Sequence, residues 1–134
     1  MPHCTKNRTI KLLHRLISHY PKGFILKKVI FLGSSYRDIC DFPANAKREA
    51  GLQIYYVQSG VTPDDWKPMT TVGLGVKEIR VHSNNEYRII YTAKYKDIVY
   101  ILHAFIKKSK KTPKSEITIA SRNFNKIKRI NNEY

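Results

Sequence analysis

The sequence predicts an α+β domain in which helices pack on one face of a mainly antiparallel sheet. Two helical patterns follow a first short strand, three strands then follow with short turns between them, and an amphipathic helix ends the chain. Strands joined by such short turns pair antiparallel, and elements grouped in this way are typical of the α+β class. The expected order is β-α-α-β-β-β-α for a domain over residues 27–134.

The elements of the first half follow from their boundary residues. Residues 27–32 form a short apolar strand. Ser35 is placed to cap a first helix, and Pro43 suits the first turn of a second helix that ends near Gly60. The stretch 61–75 contains prolines and glycines, which predict a loop.

Three strands and a helix make up the second half. The strands are predicted over residues 76–82, 86–95 and 98–106. The last of them is almost wholly apolar, so we expect it to lie in the interior of the sheet. An amphipathic helix follows Pro113, with Ser115 as its cap.

The charge is unusual for a chain of 134 residues. There are 25 Lys and Arg against 10 Asp and Glu, a formal net charge of +15. Such an excess predicts binding to a polyanion, although composition alone does not distinguish RNA, DNA and a membrane surface. The excess lies at the two ends: +8 over residues 1–37, −2 over 38–75 and +9 over 76–134.

Residues 1–26 form a basic extension in which apolar residues recur every three or four positions. This spacing predicts an amphipathic helix that is docked on the domain or frayed. A transit peptide and a membrane-surface anchor are the alternatives.

Several classes of site are not expected. No apolar run approaches the roughly 18 residues of a membrane span, and no membrane partner is predicted. Paired Cys/His spacings and a P-loop are absent, so we expect neither a metal site nor a cofactor. The two cysteines, Cys4 and Cys40, fit a reducing compartment and rule out a disulfide framework.

Strand alternation gathers charged side chains on one face of the predicted sheet. Glu78, Arg80 and His82 share a face of the first meander strand, and Arg88 and Lys94 share a face of the second. With the helices on the other face, these side chains point outwards. The surface is either merely solvated or a basic surface that grips phosphate groups, for which the arginine fork is suited.

A second basic feature follows the last strand. Residues 107–114 contain five lysines in eight positions, which form either a solvated loop or a phosphate clamp. The candidates for RNA and phosphate binding are Lys67, His82, Lys94, Lys107, Lys110 and Lys111. His103, within the apolar strand, is either a hydrogen-bonded core histidine or a proton shuttle.

Several segments resemble the phage-derived Gp49-like branch of the RelE/HigB-type toxins. They are EIR at 78–80, YRIIY at 87–91, YILHAFIKKS at 100–109 and KTP at 111–113, and KPM at 67–69 resembles the KPL segment of that branch. The resemblance covers about residues 27–134, whereas residues 1–26 have no counterpart.

The resemblance implies a RelE-like fold and the toxin of a type II toxin–antitoxin pair in the bacterial cytoplasm. Toxins of this family are typically ribosome-dependent messenger-RNA endonucleases that inhibit translation without a cofactor. A helix-turn-helix antitoxin holds the toxin inactive, and operator DNA is bound only through the complex. A ParE-like gyrase inhibitor and a non-catalytic relative that binds RNA or its partner are the alternatives.

Cleavage of RNA by its own 2′-hydroxyl needs a general base, cations at the phosphorane and a group that neutralises the 5′ oxygen. By resemblance, Arg88 matches the sheet arginine of the family and serves as the transition-state cation. Arg80 keeps a cation at a position that is lysine in the best-known RelE toxins. Lys108 matches a further active-site arginine, and it or Lys107 offsets the charge of the leaving group.

The general base is left open by the resemblance. Glu78 stands where the best-known RelE toxins have lysine, and it either acts as the base or orients Arg80. A helical tyrosine of some relatives has no match after Lys114. His103 competes with Glu78 for the role of base, and His82 is a weaker third candidate.

Overall fold

The computed structural model describes residues 26–133 and confirms the α+β class. Its elements are β1 (Lys28–Phe31), α1 (Ser35–Cys40), α2 (Ala44–Gln58), β2 (Trp66–Pro68), β3 (Val76–Ser83), β4 (Asn85–Thr92), β5 (Ile98–Lys107) and α3 (Lys114–Ile130). The element order agrees with the prediction, apart from β2, which lies within the stretch predicted to be a loop. The predicted helix of the N-terminal extension falls outside the described residues.

The five strands form one mixed sheet in the order β1-β5-β4-β3-β2. β1 pairs parallel with β5, and the other neighbours pair antiparallel. β5 therefore lies between β1 and β4, as its apolar sequence predicts. Asn84 makes the tight turn between β3 and β4 with φ of 65°, a conformation that asparagine tolerates better than most residues.

Helices cover both faces of the sheet, whereas the sequence placed them on one. α1 and α2 pack against the face that carries Ile89 and Ile101. α3 packs against the opposite face, with Ile90 and Leu102; we call this the α3 face. The reason is that β4 and β5 carry apolar side chains in consecutive positions, so both faces of these strands must be removed from water.

A β-bulge in β5 changes which residues share a face. Ile90 is paired with His103 and Tyr91 with Ile101, so Leu102 is the extra residue of β5. The carbonyl of Leu102 accepts a hydrogen bond from Nδ2 of Asn123 on α3, at 2.8 Å. The extra residue turns the side chain of His103 onto the α3 face, because one inserted residue reverses the alternation.

The starts of the helices differ slightly from the prediction. Ser34 rather than Ser35 precedes α1, and Pro113 rather than Ser115 precedes α3, while Pro43 precedes α2.

Candidate active site

Three cross-strand rows bring the charged side chains of β3 and β4 together on the α3 face. Residues directly opposite each other in a ladder carry their side chains on the same face of a sheet. The rows across β3, β4 and β5 are Glu78–Ile90–His103, Arg80–Arg88–Phe105 and His82–Glu86–Lys107. The prediction that Glu78, Arg80 and His82 share a face with Arg88 is therefore confirmed.

Arg88 is buried at the centre of these rows, with 2% of its surface exposed. Its Nη2 lies 3.1 Å from Oε1 of Glu86, and its Nε lies 3.7 Å from Oε1 of Glu78. Its Nη1 also donates a hydrogen bond to the carbonyl of Tyr87, at 3.0 Å. The expectation that Arg88 points outwards into solvent is wrong, because two carboxylates on β3 and β4 offset its charge and allow its burial.

His82 lies between two carboxylates. Its Nδ1 is 2.7 Å from Oε2 of Glu86, and its Nε2 is 2.6 Å from Oδ2 of Asp65. A carboxylate only accepts hydrogen bonds, so these two contacts favour the imidazolium form, in which both ring nitrogens carry a proton. The hydrogen bond to Asp65, followed by that to Glu86, raises the pKa of His82. The hydrogen bond to His82 in turn lowers the pKa of both carboxyls.

Asp65 is, with Glu86, a member of this site that the sequence alone did not single out. It directly precedes β2, and its carbonyl accepts a hydrogen bond from the backbone N–H of Arg80 at 2.9 Å. This bond extends the pairing of β2 with β3 and places the Asp65 side chain beside the charged rows. Its Oδ1 lies 3.9 Å from Nη1 of Arg80. In the sequence, the only feature that marks Asp65 is that it forms an acidic pair with Asp64, within a stretch predicted to be a loop.

These side chains form a balanced network. The charged cluster, as we call it, consists of Asp65, Glu78, Arg80, His82, Glu86 and Arg88. With His82 protonated, three cations face three carboxylates, and each cation lies within 4 Å of a carboxylate oxygen. The basic surface that strand alternation predicted is therefore a nearly neutral ion-pair network in the structure.

Comparison with models of known protein families shows which family the chain belongs to. A family model of phage-derived Gp49-like proteins matches residues 37–125, which is more than half of the chain and contains the whole charged cluster. The chain belongs to the Gp49-like family. This family is associated with toxin–antitoxin pairs, which implies an antitoxin partner. No curated protein matches the sequence.

In this Gp49-like protein, His103 is separated from the charged cluster. It shares a row with Glu78, but Ile90 lies between them. The His103 ring is 4% exposed, stacks on Phe105 with centroids 5.3 Å apart, and has its Nε2 3.3 Å from Oε1 of Glu116. These contacts favour the interpretation of His103 as a hydrogen-bonded core histidine.

Most lysine candidates lie around the cluster. Those near it or in the loop after β5 are Lys67, Lys107, Lys108, Lys110 and Lys111. Lys67 is paired opposite Glu78 and Lys107 opposite Glu86. The Nζ of Lys107 donates to the carbonyl of Lys110, at 2.8 Å, which holds the loop against the end of β5. The Gp49-like protein thus places one lysine on each side of the neutral cluster, and the other loop lysines follow the end of β5.

Lys94 lies elsewhere in the Gp49-like protein. It follows β4 at the opposite end of the sheet, where its Nζ is 2.6 Å from Oε1 of Glu133. The same ammonium group lies over the rings of Tyr95 and Phe124. The structure therefore does not bring Lys94 to the charged cluster.

Within residues 26–133, no group of three or more His, Cys, Asp and Glu side chains is placed to hold a metal ion. Among the same residues, no helix combines the length and the apolar character that crossing a membrane requires.

Proposed function

We propose that this protein is the toxin of its pair and that it cleaves messenger RNA with the RNA 2′-hydroxyl as nucleophile. The supporting observation is the position of one carboxylate, two arginines and one imidazolium on adjoining rows of a single sheet face. These are the groups that such a reaction needs: a base, cations at the phosphorane and an acid.

Glu78 takes the role of the general base in this proposal. Its Oε1 lies 3.7 Å from Nε of Arg88, beyond hydrogen-bonding distance. Glu78 is acceptor-only when ionised, and it can take the proton of a 2′-hydroxyl that approaches the rows. His103 is less suited, because its ring is already engaged by Glu116 and Phe105.

Arg80 and Arg88 supply the positive charge. They lie directly opposite each other across β3 and β4. Guanidinium groups have donors in a fixed fork that matches two phosphate oxygens. Both are held by neighbouring carboxylates before substrate arrives, so their positions are set in advance of the charge that develops on the phosphorane.

His82 takes the role of the general acid. From its sequence position, His82 is a candidate for phosphate binding and the weakest candidate for the base, but a ring that carries both protons cannot accept another. The hydrogen bonds to Asp65 and Glu86 raise the pKa of His82 and so favour its protonated form, which suits donation to the 5′ oxygen. Lys107 and Lys108, at the end of β5 and in the loop after it, add positive charge near the leaving group.

The same proposal includes three partners: the antitoxin, operator DNA and the translating ribosome. A helix-turn-helix antitoxin would hold the toxin inactive in the bacterial cytoplasm, and operator DNA would be bound only through their complex. A translating ribosome would present the message in the in-line geometry that 2′-hydroxyl attack requires.

The test is to induce the protein in a bacterial host and to map the 5′ ends of a translated message and of its untranslated copy. The variants are Glu78→Gln and, as a matched control at the other end of the sheet, Glu133→Gln. We expect cuts only in the translated copy, retained in the control and at least about 100-fold slower in Glu78→Gln, since a general base contributes about that much or more.

Other outcomes separate the alternatives. Growth arrest with intact messages would overturn the nuclease proposal and favour a gyrase inhibitor, which a DNA supercoiling assay would detect. The absence of both arrest and cuts would favour a non-catalytic relative. One observation already favours that relative: every cation of the charged cluster is engaged by an internal carboxylate.

A further inference from the structure

The carboxylate of Asp65 bridges two cations of the charged cluster. Its Oδ1 lies 3.9 Å from Nη1 of Arg80, and its Oδ2 lies 2.6 Å from Nε2 of His82. We propose that Arg80 and His82 form a phosphodiester subsite and that Asp65 is an internal competitor which an RNA phosphate displaces. That the natural ligand is RNA rests on the function proposed above.

The two carboxylates that contact His82 differ in their second contact, which is closer for Glu86 than for Asp65. Glu86 is fixed by His82 Nδ1 at 2.7 Å and also by Arg88 Nη2 at 3.1 Å. Among residues 26–133, the contacts of the Asp65 carboxylate are the hydrogen bond to His82 and the longer contact with Arg80, and 40% of the Asp65 side chain is exposed. Asp65 is thus the carboxylate that can leave, while Glu86 stays and keeps the imidazolium charged and oriented.

Displacement of Asp65 requires movement of its side chain only. The backbone of Asp65 is hydrogen-bonded to the N–H of Arg80 at 2.9 Å, and this bond does not depend on the carboxylate. A cavity of about 260 Å³ lies against Asp65, Arg80 and His82, and its other wall is formed by Asp64 and by Glu49 and Gln53 of α2. This cavity gives the Asp65 side chain room to rotate away from the two cations.

Two buried donors also favour an anionic ligand here. Nε of Arg80 and Nε of Arg88 are buried without a hydrogen-bond acceptor among the described residues. A buried donor without a partner destabilises the state that contains it. The two non-bridging oxygens of a phosphodiester are strong acceptors, and a group that replaces Asp65 beside the arginines can accept hydrogen bonds from these donors.

The exchange would also free the Nε2–H of His82, the proposed general acid, from its hydrogen bond to Asp65. While Asp65 is in place, both N–H groups of His82 are engaged. After the exchange, Nε2–H points at the phosphate and Nδ1–H stays on Glu86. The other charged residues near the ring are Arg80, Glu49 and Asp64, which line the same cavity. Arg88 on β4 and Lys107 on β5 lie in the rows next to it or across it. The same contact that orients His82 in the free protein thus keeps it inactive until a phosphate arrives.

The test compares Asp65→Asn with Asp97→Asn in the full-length chain. Both variants remove one negative charge, but Asp97 lies in the turn before β5, at the other end of the sheet, with a φ of 63° that asparagine also adopts. The probes are inorganic phosphate, followed by the NMR signals of the His82 ring, and a short 2′-O-methyl RNA whose blocked 2′ oxygen prevents cleavage.

We expect Asp65→Asn to bind both probes roughly 3- to 10-fold more tightly than Asp97→Asn, which is the range that one or two partly exposed ion pairs can account for. Asp65→Ala should behave in the same way, since it also removes the competing charge. Equal affinities in the Asp65 and Asp97 variants, or weaker binding when Asp65 is changed, would overturn the subsite.

Neither binding measurement depends on cleavage. If Asp65→Asn binds more tightly but no message is cut by the wild type, the subsite stands and the nuclease proposal fails. If the wild type cuts messages but the variants at positions 65 and 97 bind equally, the nuclease stands and the subsite fails.

Discussion

Arg80 and Arg88 lie directly opposite each other in the β3–β4 ladder, with both side chains on the α3 face. Like charges in directly opposed positions destabilise a sheet. Here the repulsion is offset because Glu78 and Glu86 flank Arg88 and Asp65 contacts Arg80. The carboxylates of the charged cluster thus stabilise the β3–β4 pairing as well as contacting the candidate catalytic side chains.

Removal of Arg88 should destabilise the fold. In Arg88→Ala, the buried Glu78 loses its cation, and Glu86 loses one of its two partners. We expect the free energy of unfolding to fall by about 3–5 kcal/mol, the usual cost of removing one partner of a buried pair. Urea denaturation measures it, with Arg122→Ala on the exposed side of α3 as the control, for which a change within about 0.5 kcal/mol is expected.

A loss of toxicity in Arg88→Ala would therefore not by itself identify a catalytic arginine. Arg88→Lys separates the two effects, because it keeps the charge and removes the fork of donors. If Arg88→Ala proves as stable as the wild type, the buried ion pairs described here do not contribute to the fold in solution.

The network around His82 should make stability depend on pH. The pKa of His82 is raised above its ordinary value of 6.5 in the folded protein, so its contribution is fully present below about pH 6.5 and is lost as the pH rises through the raised value. The pKa values of Asp65 and Glu86 are lowered. Their contributions are present above the unfolded values, near pH 4, and are lost as the pH falls through the folded ones.

Urea denaturation of the wild type and of His82→Asn at several pH values tests this sign. The difference in unfolding free energy should be largest near pH 6 and should shrink at alkaline pH. NMR titration of the ring, assigned by its absence in the variant, should give a midpoint above 6.5. A midpoint at or below 6.5 would contradict the two short hydrogen bonds.

The meander and the shared face of Glu78, Arg80 and His82 could be predicted because local sequence determines them. Strand alternation depends only on neighbouring residues, and short turns leave antiparallel pairing as the simple solution. The two apolar faces of β5 were also visible in its sequence. This pattern predicts an interior strand, and it equally requires a helix on each side of the sheet.

Asp65 and the orientation of His103 could not be predicted in this way. β2 has three residues, one of which is proline, so it carries no strand pattern, and Asp65 reaches the cluster only through the pairing of β2 with β3. The bulge at Leu102 depends on the register between β4 and β5, which alternation within one strand does not reveal. The burial of Arg88 likewise depends on carboxylates from two strands.

The bulge in β5 should depend on Asn123. This side chain is 2% exposed, and its Nδ2 donates to the carbonyl of Leu102 at 2.8 Å. Asn123→Ala leaves a buried carbonyl without that donor, which costs about 1–3 kcal/mol. Thermal or urea unfolding measures the loss, and Asn125→Ala, two positions along the same helix and exposed, is the matched control. Equal stability of the two variants would show that water or another donor replaces Asn123.

The lysines after β5 should contribute more to the salt dependence of RNA binding than to cleavage of the bound RNA. Lys108 and Lys111 are exposed in the loop after β5. This loop follows Lys107, which lies opposite Glu86 of the nearly neutral charged cluster. Each lysine that neutralises a phosphate releases counterions, so Lys108→Gln and Lys111→Gln should each reduce the slope of log affinity against log salt by about 1. Lys96→Gln, in the turn before β5 at the other end of the sheet, should leave the slope unchanged. The measurement is a titration of a 2′-O-methyl RNA at several salt concentrations. An equal loss of slope in all three variants would indicate that the whole surface attracts RNA and that the loop has no particular role.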